Sequence, residues 1–229
     1  MTEFLFGAFP YAAVLLAVGA GILRYFSDRS SFTSHSSQFL ESRWLFWGSI
    51  PWHYGITIVL LAHIAAALFP GAWGVLIGTP ARLFLVEATG FALGLLALFG
   101  CAALLARRLF HPRLSAVSTP MNWIVLLILI LQVASGVYIA WAYRWGAAWY
   151  LHTAVPWLSS LVRLRPETAH VAFLPWTVKF HLVNAFLLVA VLPFSRLMHL
   201  FTIPVSYAWR PYLLYFWNRK RPFPAGGGE

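Results

Sequence analysis

Five long apolar segments constrain the fold of this chain more than any other feature of the sequence. They lie near residues 4–26, 46–69, 83–106, 120–143 and 174–201, and each carries few charged side chains. A bilayer core about 30 Å thick is crossed by roughly 20 helical residues, so each segment is long enough to span it. The segments are apolar on nearly every side and lack the period-two alternation of barrel strands. The sequence therefore predicts an all-α integral membrane protein, a bundle of five transmembrane helices.

The composition agrees with a membrane protein and limits the cofactors the chain can hold alone. Of its 229 residues, 61% are hydrophobic and 10% are charged, and the mean hydropathy is +0.75. Cys101, inside the third segment, is the only cysteine. A single cysteine can form neither an internal disulfide nor a thiolate-ligated iron–sulfur cluster within this chain. Any such cluster would belong to a partner.

The basic residues predict the orientation of the bundle. Eleven of them fall on one face: Arg24, Arg29, Arg43, Arg107, Arg108, Arg113, Arg196, Arg210, Arg219, Lys220 and Arg221. The other face has five: Arg82, Arg144, Arg163, Arg165 and Lys179. The positive-inside rule then puts the N-terminus outside and the C-terminus in the cytoplasm. Topology and anionic lipid headgroups account for the net charge of +10, so we expect no nucleic-acid partner.

The eight histidines divide into two groups. Four fall in connections between segments, where we expect solvated imidazoles: His35, His111, His152 and His170. The others are His53 and His63 in the second segment and His181 and His199 in the fifth. Polar groups at membrane depth are costly unless they have partners. Because these two segments run antiparallel, His53 should lie opposite His199 near the inner face, and His63 opposite His181 near the outer face.

Two such pairs predict two haem sites stacked across the membrane. Neutral imidazoles suit haem iron, and an apolar core suits a porphyrin better than a hydrated metal ion. The spacings differ, because ten residues of ideal helix span about 15 Å and eighteen span about 27 Å. Pro193 lies between His181 and His199, and we expect it to kink the fifth helix.

Longer strings carry a family resemblance over nearly the whole chain. They are "SSQFLESR" after the first segment, the two histidines ten residues apart, "RRLFHPRLSAVST" after the third segment, and "FHLVNAFLLVAVLPFSRLMHLFTIPVSY" in the fifth. On these strings the chain resembles the gamma subunit of respiratory nitrate reductase, a membrane-anchoring dihaem cytochrome b. The resemblance implies two haem b groups, the outer held by His63 and His181 and the inner by His53 and His199.

The resemblance also implies a place in a larger enzyme in the cell membrane. Quinol from the quinone pool would be oxidised near the outer haem. Electrons would pass inward to an iron–sulfur beta subunit and a molybdenum-containing alpha subunit, which reduces nitrate in anaerobic respiration. We expect residues 1–201 to form the membrane domain and residues 202–229 a cytoplasmic tail that docks these subunits.

Other site residues follow less directly. The family has a lysine near the start of the third helix at its quinol site, whereas "GTPARLFLVEATG" has Arg82 and no lysine, so Arg82 and Glu87 are the candidates here. Arg196 is a candidate contact for a haem propionate, because guanidinium binds carboxylate bidentately. Gly90 and Gly94 are expected to allow close packing between helices.

Three alternatives remain at this stage. The chain could be a b-type electron-transfer subunit of another molybdenum oxidoreductase, including one that reduces quinone. It could be a transporter in which the histidines form a proton or metal pathway, although no paired broken helices or acid-rich pathway occur in the sequence. It could also be an anchor that has lost its cofactors, against which four ligands in register argue.

Overall fold

A computed structural model describes residues 1–27 and 43–200 of the chain. In these two ranges all regular structure is helical: a π-helical turn at Phe4–Ala8, α1 (Phe9–Ser27), α2 (Arg43–Leu68), α3 (Pro70–Leu76), α4 (Pro80–Phe110), α5 (Pro112–Ala116), α6 (Pro120–Ala142), α7 (Gly146–His152), α8 (Ala154–Val162), α9 (Ala169–Ala172), α10 (Trp176–Val191), and 3-10 segments at Leu192–Phe194 and Arg196–Leu200. The tail at 202–229, predicted to dock partner subunits, lies outside the described residues.

Five of these helical stretches are long and apolar enough to cross a bilayer, which confirms the predicted all-α, five-span fold. They are Phe4–Ser27, α2, α4, α6 and Trp176–Phe194. Proline opens both α4 and α6, at Pro80 and Pro120, where its missing N–H leaves no helical hydrogen bond unmade. The hydroxyl of Thr79 caps α4 by accepting the backbone N–H of Arg82 at 3.4 Å.

The fifth span is shorter than predicted, and the single kinked helix expected from 174 to 201 is wrong. The α-helix ends at Val191, and the chain continues as a 3-10 turn over Leu192–Phe194. Pro193 cannot donate a backbone hydrogen bond, and its ring clashes with the preceding helical turn. Ser195 is extended, with φ −118° and ψ 173°. His199 therefore lies on a separate 3-10 segment and not on the helix that carries His181.

The spans pack side by side in an order that differs from their order in the chain. α1 packs on α10, α10 on α6, α6 on α4, and α4 on α2. Among the described residues, α2 and α10 make no extensive contact. The two histidine-bearing spans therefore do not pack against each other, and α6 and α4 lie between them in the packing order.

Glycine explains why α2 and α4 approach so closely. A Cβ atom on Gly55 of α2 would lie 2.7 Å from the carbonyl oxygen of Leu93, and one on Gly48 would lie 2.8 Å from the Leu104 side chain. Gly100 of α4 sits against the backbone of α2 in the same way. Small residues let membrane helices pack backbone to backbone, which substitutes for the hydrophobic effect that lipid removes.

Gly90 and Gly94, the two glycines that were expected to allow close packing between helices, differ in their surroundings. A Cβ on Gly94 would lie 3.2 Å from Val137 of α6, so Gly94 does lie at a helix contact. Gly90 has nothing within 4 Å of that position among the described residues, and the expectation for Gly90 was wrong.

The connection between α6 and α10 is itself helical. Its helices α7, α8 and α9 cover one end of the bundle. Trp157 of α8 is fully buried with Phe6, Leu161 and Val171, and its indole N–H donates to the carbonyl of Phe6 at 2.9 Å. This cluster joins the connection to the beginning of the first span.

Candidate functional site

The structure brings His53 and His199 together. Their ring centroids are 6.3 Å apart, and the ring planes are inclined at 64°. His53 projects from the first half of α2, and His199 from the 3-10 segment beyond the break in the fifth span. The break places the two rings side by side although their helices do not pack together.

This separation is short enough for both imidazoles to bind one metal ion. Metal–imidazole bonds are about 2.0 Å long and a ring nitrogen lies about 1.2 Å from its centroid, so two rings that bound one ion would have centroids no more than about 6.4 Å apart. Within residues 1–27 and 43–200, no three His, Cys, Asp or Glu side chains are grouped so that they could hold a metal ion. Haem iron needs only two axial ligands from the protein.

Hydrogen bonds to main-chain carbonyls fix the tautomer of three of the four histidine rings. Each ring places Nδ1 against a main-chain carbonyl of the preceding turn: His53 on Ser49 at 2.7 Å, His63 on Val59 at 2.8 Å and His199 on Arg196 at 2.6 Å. A carbonyl oxygen only accepts, so Nδ1 carries the proton and Nε2 carries the lone pair. Such a bond orients metal-ligating histidines and raises their basicity.

His181 is held by side chains of another helix. Its Nδ1 lies 2.9 Å from the hydroxyl of Ser135, which itself donates to the carbonyl of Gln132 at 3.0 Å. The hydroxyl proton is thus committed, so Nδ1–H of His181 is the donor. The ring again carries its lone pair on Nε2, where the Gln132 amide nitrogen approaches to 3.1 Å.

Asn184 continues this polar network. Its amide donates to the side-chain oxygen of Gln132 at 2.7 Å and to the carbonyl of Ile128 at 3.0 Å. Binding of His181 Nε2 to haem iron would displace the Gln132 amide nitrogen, which lies 3.1 Å away. Gly136 leaves room beside the ring, since a Cβ there would lie 3.0 Å from Cε1 of His181. The donor set therefore fits a haem ligand.

His63 lies within electrostatic range of His181, but its ring packs against Tyr150. The centroids of His63 and Tyr150 are 5.6 Å apart, and the phenol hydroxyl donates to the carbonyl of His63 at 3.4 Å. Burial raises the pKa of Tyr150 to about 12, so its hydroxyl stays protonated at neutral pH. Nothing in the sequence pattern distinguished this tyrosine from its neighbours in the aromatic connection.

The two quinol-site candidates are separate. Glu87 accepts the backbone N–H of Ala147 at 2.6 Å, at the start of α7, where Trp145 has a left-handed φ of 66°. Arg82 donates from Nε to the hydroxyl of Thr79 at 3.1 Å. In the described part of the chain, no hydrogen bond or ion pair joins Arg82 to Glu87. The carboxylate of Glu87 thus fixes α7, and with it Tyr150, against α4.

The other described candidates lie at exposed positions or at helix ends. Arg196 lies three residues before His199 and has an exposed side chain. His170 pairs with Glu167 at 3.2 Å, a local surface contact. His111 and His152 lie at helix ends, and His35 lies outside the described residues. The sequence did not single out Gln132, Ser135 and Asn184, although amides and hydroxyls inside an apolar span are a usable indication.

The chain matches one protein family along most of its length. A family model described as nitrate reductase gamma subunit covers residues 2–218. The nitrate reductase gamma chain of Bacillus subtilis (strain 168) is 32% identical over 222 residues, 96% of this chain and 98% of that protein. The respiratory nitrate reductase 1 gamma chain of Escherichia coli (strain K12) is 30% identical over 220 residues, 93% and 96% of the two chains.

A more distant relative has a different name. It is the Hdr-like menaquinol oxidoreductase cytochrome b-like subunit of Archaeoglobus profundus, 23% identical over 173 residues. The match covers 70% of this chain and 48% of that protein.

Proposed function

Because the chain belongs to the nitrate reductase gamma subunit family, we propose that it is the electron-transfer subunit of a quinol:nitrate oxidoreductase complex in the cell membrane. Quinol gives up two electrons near the outer face, and its protons leave to the outside. The electrons cross inward to an iron–sulfur beta subunit and a molybdenum-containing alpha subunit, where nitrate is reduced. Charge separation then contributes to the membrane potential.

Four histidines would hold two haem b groups. His53 and His199 would ligate the inner one, and His63 and His181 the outer one. Haem iron, when bound, exchanges single electrons between its ferrous and ferric states. The observation that carries the proposal is the 6.3 Å separation of the His53 and His199 rings, one on α2 and the other on the 3-10 segment beyond the break in the fifth span.

The protein supplies ligand orientation and a low dielectric. The Nδ1–H bonds fix the rotation of each imidazole, so that Nε2 of the same ring is the atom offered to iron. Most side chains of α2, α4, α6 and α10 are apolar, so a haem held by these histidines would lie in a low-dielectric environment. Arg196, three residues from His199, would pair with a propionate of the inner haem.

Quinol would bind beside His63, between α4 and α7. Arg82 offers hydrogen-bond donors, and the carboxylate of Glu87 would accept a quinol proton at Oε2, since its Oε1 accepts the N–H of Ala147. The name of the Archaeoglobus relative, a menaquinol oxidoreductase subunit, supports quinol as the electron donor.

Haem content tests the proposal directly. The full chain, purified with its partner subunits, is expected to show two b haems per chain in a pyridine haemochrome assay. His63→Ala and His181→Ala should each remove the same, outer haem, whereas His53→Ala and His199→Ala should each remove the inner one. His170→Ala, which alters a surface pair, is the matched control and should keep both.

Two results would overturn the proposal or part of it. A wild-type chain without haem would contradict the whole assignment. If His63→Ala and His181→Ala removed different haems, the pairing would be wrong. A second assay separates electron transfer from catalysis: all four variants should lose quinol-dependent nitrate reduction but keep the activity driven by a soluble artificial donor that reduces the partner subunits.

A further inference from the structure

Hydrogen bonds of Ser195 stabilise the break in the fifth span. The carbonyl of Leu192 accepts the backbone N–H of Ser195 at 3.1 Å and its hydroxyl at 2.9 Å. The same hydroxyl oxygen accepts the N–H of Leu197 at 3.1 Å, at the start of the next segment. Pro193 is fully buried, and Ser195 is 4% exposed. Ser195 therefore connects the end of one helical segment to the start of the next.

A basic residue of the first span, Arg24, donates hydrogen bonds to carbonyl groups at the break. Nη1 of Arg24, on α1, donates to the carbonyls of Pro193 at 2.5 Å and Ser195 at 3.2 Å. The last carbonyls of a helix have no partner within the helix, and they carry the negative end of its dipole. A guanidinium suits this position because it carries several donors in a fixed plane and keeps its charge.

The contact is part of a continuous interface. α1 packs along α10 and against the Leu192–Phe194 turn. A Cβ on Gly21, one turn before Arg24, would lie 4.0 Å from the terminal methyl of Met198. Met198, next to His199, is buried. The first span therefore contacts both sides of the break.

We infer that Arg24 is a positioning residue for His199, and through His199 for the inner haem site. Arg24 fixes the two carbonyls around which the chain turns. This turn determines the position of the Arg196–Leu200 segment, and therefore the position of the His199 ring relative to His53. The first span has none of the four histidines, so it acts on the inner site through its contacts with the break. The inference rests on the proposed function for the identity of the ligand.

The competing explanation is that Arg24 is one of the positive charges that orient the chain in the membrane. Arg113 separates the two explanations, because it lies on the same predicted face and has an exposed side chain, and among the described residues it has no hydrogen bond to the fifth span. Arg24→Ala and Arg113→Ala remove the same charge, but only Arg24→Ala removes the donors at the break.

The test compares Arg24→Ala, Arg24→Lys and Arg113→Ala in the full chain with its partner subunits. Haems per chain are counted by pyridine haemochrome, and redox titration of the α-band gives the potential and amplitude of each haem. We expect Arg24→Ala to keep the outer haem at its wild-type potential. In this variant, the inner haem should shift in midpoint potential, or its amplitude in the titration should fall at least twofold. Arg24→Lys should restore most of the inner component, because an ammonium also donates to carbonyls, and Arg113→Ala should resemble wild type.

The retained outer haem shows that the Arg24→Ala chain has folded. Unchanged inner potential and amplitude in Arg24→Ala would overturn the inference. Equal loss of both haems would also overturn it, since that result indicates general destabilisation. A wild-type chain with no haem would instead contradict the proposed function, so the two failures are distinguishable.

Discussion

At the scale of single residues, the four candidate ligands share a tautomer but differ in how they obtain it. His53, His63 and His199 donate Nδ1–H to a carbonyl of their own preceding turn. His181 donates to the Ser135 side chain on α6. The first three bonds depend on backbone geometry that a substitution cannot easily remove. The bond of His181 can be removed by changing one hydroxyl.

Ser135→Ala is therefore expected to affect one haem only. Ser135→Ala removes the acceptor of the Nδ1–H of His181. The imidazole then becomes a less basic ligand, so the midpoint potential of the outer haem should rise. Loss of such a supporting bond typically weakens metal binding about 10-fold or more, so outer haem should also be lost faster on dilution. Redox titration and haem counting after size-exclusion chromatography measure both effects.

Ser135→Thr keeps the hydroxyl and serves as the control. It should leave the potential and retention of both haems close to wild type. An unchanged outer potential in Ser135→Ala, or an equal change in both haems, would contradict a role for this hydroxyl in orienting His181.

At the scale of helices, the spans were predictable and their contacts were not. Length and hydropathy are local properties, so the five spans could be placed from composition along the chain. Whether a glycine contacts a neighbouring helix depends on which face of its own helix points toward that neighbour. Spans that are apolar on all sides have no amphipathic stripe, so the sequence does not indicate this face. Gly90 and Gly100 lie on the same helix, yet only Gly100 meets α2.

The same limit applies to the candidate site. The pairing of His53 with His199 followed from antiparallel spans, and the family strings added their roles. The end of α10 at Val191 and the contact of Arg24 with Pro193 depend on residues far apart in the chain. No local pattern around Arg24 distinguished it from the other arginines at span ends.

The α2–α4 contact gives a matched pair of substitutions. Gly100→Ala places a methyl group against the α2 backbone, and overpacking of this kind should destabilise the chain by about 1–3 kcal/mol. Gly90→Ala adds the same methyl where nothing lies within 4 Å. It should be neutral or more stable, because alanine favours helix over glycine by about 1 kcal/mol. Thermal unfolding in detergent, followed by circular dichroism, compares the two.

The haems provide a second measurement of the same pair. α2 carries both His53 and His63, so displacement of α2 by Gly100→Ala should perturb both haems together. This differs from the single-haem effects expected for Arg24 and Ser135. Equal stability of Gly100→Ala and Gly90→Ala would show that α2 and α4 do not pack as closely as described.

At the scale of the whole molecule, the orientation in the membrane is a prediction from charge alone. Cys101 is 1% exposed, so the wild-type chain gives a low background for thiol labelling. Arg163→Cys, after α8, should react with a membrane-impermeant maleimide in intact spheroplasts. Arg113→Cys, in α5, should react only after permeabilisation. The reverse pattern would place the N-terminus in the cytoplasm.

The packing order of the spans also affects how the protein is made. α1 is the first span to leave the ribosome, but it packs on α10, the last. Contacts between residues so distant in sequence form late in folding. A nascent chain ending before the Pro193 turn already contains α1, α2, α4, α6 and α10, but it lacks the carbonyls that Arg24 binds and the ring that lies beside His53. The inner site is thus completed only after translation has passed His199, when the long helices have already been made.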